Sequence, residues 1–192
     1  MNVREDWEER WRDFHRGGRI GPLWIGPPWE SPPADVPAVL IEPGRAFGTG
    51  AHPTTRLCVE LLDELPRGAL LDVGCGSGVL AVAGAKLGFE PVYAIDRDPV
   101  AVEVTIANAA ANRVELDAFV ADALAGELPR ADATVANVAL EVVRELGPRV
   151  TSATLVTSGY LEADSLTLPG RAHRRRAELA GWAADVWMSA EE

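Results

Sequence analysis

The sequence predicts an α/β fold: a mostly parallel sheet with helices on both faces. Three observations carry that expectation. From Leu70 onward, short apolar runs alternate with longer stretches of helical period, the pattern of a sheet built by crossover connections. The first run, Leu70-Leu71-Asp72-Val73, passes into Gly74-Cys75-Gly76-Ser77-Gly78. That reads as a strand, a glycine-rich turn and the start of a helix, a junction that brings backbone N–H groups up to a ligand. The 192 residues are 47% apolar, which suits one domain with a substantial core and is too apolar for a disordered chain.

Taken in order, Arg4 to His15 carries Trp7, Trp11 and Phe14 at i, i+4, i+7, one apolar stripe on a short helix. Packing on the domain explains it; an aromatic face for an external module is the functional alternative. Gly17-Gly18 ends that helix, and Ile20 to Ile25 reads as a short strand. Pro27-Pro28-Trp29-Glu30-Ser31-Pro32-Pro33 is a loop or linker, because proline fixes φ and lacks a donor. Residues 1–37 are therefore expected to be an N-terminal helix and Pro-rich linker, and 38–192 the main domain. Val39-Leu40-Ile41 is a short strand. Phe47-Gly48-Thr49-Gly50-Ala51-His52-Pro53-Thr54-Thr55 then leads into a helix capped by Thr54 or Thr55 and running to about Leu65. A loop of Gly, Thr and His before a helix is either a capped turn or a ligand wall.

The alternating part follows. Strands are expected at Ala69–Val73, Pro91–Ile95, Leu116–Ala121, Ala131–Ala136 and Thr154–Thr157, and helices at Val79–Leu87, Pro99–Asn112 and Leu140–Leu146. The tail departs from this rhythm: Ala172–Leu179 and Trp182–Met188 flank Ala180-Gly181 and predict an antiparallel hairpin. Arg174-Arg175-Arg176 is either a basic patch or the charged edge strand that blocks aggregation.

Net charge is −11, which argues against direct nucleic-acid binding or attachment to an anionic membrane. No apolar run reaches membrane-spanning length, and Met1 to Arg16 is too charged for a signal peptide. Two cysteines, Cys58 and Cys75, make no disulfide framework, so a reducing, cytoplasmic setting is expected. No metal site is expected.

Ligands of such sheets sit at the carboxyl ends of the strands. Asp72, Asp96, Asp122 and Asn137 all fall there. Asp96 follows the glycine turn by about 20 residues, where an acidic side chain can take the ribose hydroxyls of a nucleotide-like cofactor. Val79 stands where the third glycine of a dinucleotide fingerprint would be, which moves the reading away from NAD or FAD. Asp72 is either a ligand or a structural carboxylate bonding the turn. Cys75 reads as packing.

Asp72-Val73-Gly74-Cys75-Gly76-Ser77-Gly78 with Ile95-Asp96 resembles class I S-adenosylmethionine-dependent methyltransferases. Upstream, Ile41-Glu42-Pro43-Gly44-Arg45-Ala46-Phe47-Gly48-Thr49-Gly50-Ala51-His52-Pro53-Thr54-Thr55 is similar to the signature of the PrmA family, which methylates amino groups of a ribosomal protein. Val135-Ala136-Asn137-Val138-Ala139-Leu140 is similar to that family's stretch after the fourth strand. The resemblance implies a Rossmann-like, seven-stranded sheet, mostly parallel with a C-terminal antiparallel hairpin. It implies S-adenosyl-L-methionine as cofactor and a protein amino group, lysine or N-terminal, as acceptor, with a ribosomal protein as the partner. Cofactor-binding residues carried over are Phe47, Gly48, Thr49, Thr55, Asp72, Gly74, Gly76, Asp96, Asp122 and Asn137. Asp96 would hold the ribose and Asp122 the adenine amino group. Asn137 is the catalytic expectation, steering the amine through its side chain or the adjacent carbonyl; His52 is either a base or a loop cap.

Two departures bear on substrate. The family's separate N-terminal recognition domain is expected to be missing, because the chain begins near the linker helix. The family's long helix after the fifth strand is replaced by the short Tyr160–Pro169 stretch. A methyltransferase for a small molecule or another protein, and a cofactor-binding module with a separate partner subunit, therefore stand as alternatives.

Overall fold

The computed structural model describes residues 16–44, 48 and 50–190. The expected helix over Arg4–His15 lies outside them, as do Phe47 and Thr49. A small sheet comes first: β1 (Gly18–Ile20), β2 (Leu23–Gly26) and β3 (Ala38–Leu40). β1 and β2 pair antiparallel, and β2 and β3 pair parallel. The single strand expected over Ile20–Ile25 is thus a hairpin, turned at Gly21-Pro22, where proline cannot donate to a ladder. This sheet takes strands from both sides of position 37.

The main body follows as α1 (Pro53–Asp63), β4 (Leu70–Val73), α2 (Val79–Leu87), β5 (Val92–Asp96), α3 (Pro99–Asn112), β6 (Asp117–Val120), β7 (Ala133–Asn137), α4 (Leu140–Leu146), β8 (Thr154–Leu161), β9 (Arg171–Leu179) and β10 (Trp182–Ser189). Seven strands form one sheet in the order β6-β5-β4-β7-β8-β10-β9. The first five are parallel, and β10 runs antiparallel to both β8 and β9. The expected parallel sheet and terminal hairpin are therefore both present. β8 runs past its expected end at Thr157 to Leu161, because Gly159 forms a bulge instead of ending the strand.

The period of two in β4 divides the core. Leu70 joins Val59, Leu61, Leu62 and Val82 under α1 and α2. Leu71 and Val73 join Val143, Leu146 and Trp187 under α4. Asp72, between them, points to the first face and is 1% exposed. Each fully buried leucine, such as Leu61 or Leu62, contributes about 2 kcal/mol of transfer free energy.

Three helix starts converge at the carboxyl edge of the sheet. His52 caps α1, accepting the Thr54 N–H on Nδ1, and Pro53 follows at the first helical position. Gly78 starts α2, and Asp98 caps α3 by accepting the Val100 N–H at 2.9 Å. α3 also carries a polar row, Thr105, Asn108 and Asn112, all buried. Asn112 bonds both ways with Leu40: its Nδ2 donates to the carbonyl and its Oδ1 accepts the N–H. Asn108 donates to the Ser77 carbonyl and accepts the Glu42 N–H. The row ties β3 and its following loop to the glycine turn. Among the described residues no helix is long and apolar enough to cross a membrane.

Candidate active site

A cleft of about 600 Å³ opens at the carboxyl ends of β4, β5, β7 and β8. Eight of the ten sequence-predicted positions line it: Gly48, Thr55, Asp72, Gly74, Gly76, Asp96, Asp122 and Asn137. Phe47 and Thr49, the other two, are outside the described residues.

The glycine turn is held by bonds within the fold. The Gly74 and Cys75 N–H groups both donate to the Ile95 carbonyl, at 2.8 and 3.1 Å, joining the ends of β4 and β5. Gly74 has φ 73°, and a Cβ there would stand 2.6 Å from Val138 Cγ1. A side chain there is strained by the positive φ and requires Val138 to move. The Gly76 N–H donates to Asp96 Oδ2 at 3.0 Å, and the Asp98 N–H to Asp96 Oδ1 at 3.0 Å. A carboxylate oxygen accepts two bonds, so both Asp96 oxygens keep a lone pair for a ligand. Asp122 holds its own turn in the same way, Oδ1 accepting the Leu124 N–H at 2.9 Å.

Asp72 bonds the backbone at the start of α2 and also lines the cleft. Its Oδ2 accepts the Ala81 N–H at 3.0 Å, inside the first turn of α2. Its Oδ1 is buried and has no hydrogen-bond partner among the described residues, although Asp72 lines the cleft. Burial pushes its carboxyl up to about 7; the Ala81 N–H opposes that, and the nearby Asp96 charge adds to it. A carboxylate with one empty oxygen on a cavity wall is an acceptor waiting for a donor or a cation.

The other end of the cleft is formed by Asn137, Val138, Gly159, Trp182 and His52. The Asn137 side chain, at the tip of β7, has no hydrogen-bond partner among the described residues. His52 is a cap: Nδ1 accepts the Thr54 N–H and lies 2.7 Å from Thr54 Oγ1. Its ring meets Trp182 edge-on at 4.7 Å, and burial lowers its pKa. Cys75 is a buried thiol with its pKa pushed up to about 12, chiefly by burial, and Thr105 Oγ1 donates to its sulfur at 3.2 Å. It packs, as expected, and is no nucleophile.

Sequence reasoning missed three features. The α3 row was legible as polar residues at i, i+3 and i+7 of an Ala/Val-rich helix. Arg97 lines the cleft next to Asp96. Gly159 and Trp182 both line the cleft, Gly159 at the β8–β10 bulge and Trp182 at the start of β10, and nothing local in the sequence announces a bulge.

Strand order, glycine turn and three carboxylates at the strand ends define the Rossmann-like methyltransferase fold. The family model described as "Ribosomal protein L11 methyltransferase (PrmA)" matches residues 2–176, and the chain belongs to that family. It is 36% identical over 179 residues to the ribosomal protein L11 methyltransferase of Thermoanaerobacter pseudethanolicus, covering 90% of this chain and 56% of that protein. The chain spans about half the length of the curated relatives it matches. The crystal structure of a ribosomal protein L11 methylase from Lactobacillus delbrueckii subsp. bulgaricus superposes with TM-score 0.81 at 25% identity, over 92% of this chain and 100% of that one. An RNA methyltransferase from Salinibacter ruber, in complex with S-adenosyl-L-homocysteine, shares the fold alone: TM-score 0.58, 20% identity, 70% of this chain and 89% of that one.

Proposed function

We propose that this chain is an S-adenosylmethionine-dependent N-methyltransferase acting on protein amino groups, a lysine side chain or an N-terminal amine, with a ribosomal protein as acceptor. The observation that carries the reading is the cleft that gathers the glycine turn, Asp72, Asp96 and Asp122 at one end and the unpaired Asn137 side chain at the other.

The residues fit the cofactor. The remaining lone pairs of Asp96 suit the two ribose hydroxyls, and Asp122 suits the adenine amino group. The orphaned Asp72 Oδ1 suits the methionyl ammonium. Three carboxylates favour a ligand bearing cationic ammonium and sulfonium groups. The missing Cβ at Gly74 lets Val138 pack against the cofactor turn. When bound, S-adenosylmethionine supplies the electrophilic methyl group.

The chain's own part is to orient a neutral amine. Asn137 Oδ1 and the Val138 carbonyl are the acceptors for its N–H groups, leaving the nitrogen lone pair directed at the cofactor end. Burial and a nearby positive charge both depress an ammonium pKa, so the site favours the neutral amine without a dedicated base. His52 does not serve as one, since its Nδ1 is engaged in the cap. Catalysis of this kind rests on orientation and desolvation.

Calorimetry tests the cofactor half. Wild type should bind S-adenosylmethionine, and Asp96→Ala should weaken it by about tenfold to a hundredfold, the loss of charged hydrogen bonds. NADH binding without S-adenosylmethionine binding would overturn the reading. Transfer of a radiolabelled methyl group to ribosomal protein L11, with mass analysis of the labelled residue, tests the acceptor half. Cofactor binding with an unlabelled L11 would refute the ribosomal acceptor.

A further inference from the structure

The Val138 peptide sits between two residues that have no side chain. On one side is Gly74 of the cofactor turn, where a Cβ would lie 2.6 Å from Val138 Cγ1. On the other is Gly159 of β8, where a Cβ would lie 2.1 Å from the Val138 carbonyl oxygen, 2.7 Å from its carbon and 3.0 Å from its nitrogen. Real Cβ atoms do not approach backbone so closely, and both glycines have positive φ, 73° and 104°.

Gly159 is also the bulge of the sheet. Ala183 pairs with Tyr160 and the adjacent Ala184 pairs with Ser158, so Gly159 has no opposite residue on β10. On the other side the β7 register ends with Asn137 opposite Ser158. The Val138 N–H continues that contact by donating to the Ser158 carbonyl at 3.0 Å. Gly159 therefore belongs to the floor of the cleft and not to the ladder, a common use of bulges beside active sites.

The far face of the sheet shows what holds the bulge in place. Thr157 and Tyr160 are three apart, so an unbroken strand would point them to opposite faces. The bulge turns them to the same face, with Thr157 Oγ1 and Tyr160 Oη 2.7 Å apart. Tyr160 donates to Asp185 Oδ2 at 2.8 Å, and His173 Nε2 meets Asp185 Oδ1 at 2.7 Å. Trp187 Nε1 donates to Thr157 Oγ1 at 2.9 Å. Thr157, Tyr160, Asp185 and Trp187 are buried and each is hydrogen-bonded within the network, and buried polar networks of this kind favour one backbone arrangement.

We infer that Gly159 is a positioning residue for the acceptor amine. Its bare Cα seats the Val138 backbone, and its carbonyl above all, beside the cofactor turn, and the Thr157–Tyr160–Asp185 network locks that seat from behind. The inference rests on the proposed amine methyltransferase reading and adds the element that sets how near the acceptor nitrogen comes to the methyl group. Gly159→Ala would push the Val138 carbonyl aside without touching the carboxylates that hold the cofactor. Tyr160→Phe would release the lock and leave the glycine in place.

The test uses the full chain and two probes: S-adenosyl-L-homocysteine, and a bisubstrate analogue with a lysine-like alkylamine joined through nitrogen to the adenosyl 5′ carbon. Calorimetry gives the affinity ratio of the two for wild type, Gly159→Ala, Tyr160→Phe and a control, Gly170→Ala. Gly170 also has positive φ, 75°, but nothing stands within 4 Å of its Cβ position, so the control measures backbone strain alone. The expected result is a wild-type preference for the amine analogue that Gly170→Ala keeps and Gly159→Ala loses. S-adenosyl-L-homocysteine binding should stay within about threefold throughout. Tyr160→Phe should reduce the preference partly. With a methylatable acceptor, Gly159→Ala should lower kcat by about a hundredfold, the effect of a displacement near 1 Å.

A preference that Gly159→Ala retains overturns this inference and leaves the proposed function standing. Equal loss of both probes in Gly159→Ala also overturns it, since the effect is then merely structural. A wild type that binds neither probe overturns the proposed function itself. A wild type that binds S-adenosyl-L-homocysteine with no preference for the amine overturns the acceptor chemistry and this inference together.

Discussion

Replacing Asp72 by asparagine should make the unliganded protein more stable at neutral pH and its cofactor binding weaker. The wild-type carboxyl has a folded-state pKa raised from 3.8 to about 7, mainly by burial. A raised carboxyl pKa means that the native state holds its proton more tightly than the unfolded chain. The resulting stability is complete below the unfolded value and is lost as pH rises through the folded one, so the window is pH ~4 to ~7. At 1.36 kcal/mol per unit the full loss is on the order of 4 kcal/mol. For a chain of this size each kcal/mol moves Tm by about 2–4 °C. The amide of Asp72→Asn has no such titration, and its oxygen can still accept the Ala81 N–H. Thermal unfolding of both proteins from pH 4 to 8 is the assay. The wild-type Tm should fall behind that of Asp72→Asn by roughly 10 °C across the window. Saturating S-adenosylmethionine should narrow the gap, because a cationic ligand stabilises the ionised carboxylate. Parallel Tm curves for the two proteins would refute the assignment of Asp72 as a buried, ionising carboxylate.

The remaining expectations address the acceptor end and the α3 row. Asn137→Ala should lower kcat by about a hundredfold or more while S-adenosylmethionine affinity stays within about threefold; an equal fall in affinity would show that Asn137 holds cofactor and does not orient the amine. Asn112→Ala leaves both the Leu40 N–H and the Leu40 carbonyl without their partner, and should cost about 2–6 kcal/mol, at 1–3 kcal/mol for each orphaned group. Chemical denaturation would show that as a lower midpoint with an unchanged slope, and an unshifted midpoint would mean that water replaces the side chain.

What the sequence makes legible is what depends on local pattern. The period of two in Leu70-Leu71-Asp72-Val73 places Asp72 inside the sheet, and the glycine turn places its neighbours at the ligand edge. Asp96, Asp122 and Asn137 stand out because strand ends can be read from the apolar runs that precede them. The Ile20–Ile25 stretch misleads because Gly21-Pro22 is two residues long and apolar residues flank it closely, so a hairpin and a strand look alike. The strand expected over Thr154–Thr157 stops short of Gly159, because glycine weakens a strand interior. Only the register of β10, set far along the chain, shows that the strand resumes after it. Asn112 bonds Leu40 across 72 positions, a separation that no local pattern reports.

Each carboxylate on the cofactor side also supports the backbone that presents it. Asp72 binds the Ala81 N–H, Asp96 binds the Gly76 and Asp98 N–H groups, and Asp122 binds the Leu124 N–H. Charge-assisted bonds of this type are among the stronger ones in proteins. The turns are thus already set in shape by the groups proposed to meet the ligand, which would lower the ordering cost of binding. The same double use makes single substitutions hard to read: an alanine at position 96 removes the proposed ligand acceptor and loosens the Gly76 peptide together. Asparagine keeps one acceptor oxygen for the N–H and removes the charge, so the difference between the two substitutions separates support from recognition. Asn137 stands apart from this arrangement. Its side chain has no hydrogen-bond partner among the described residues, so Asn137→Ala removes no support from the fold and reads directly on the acceptor role proposed for it.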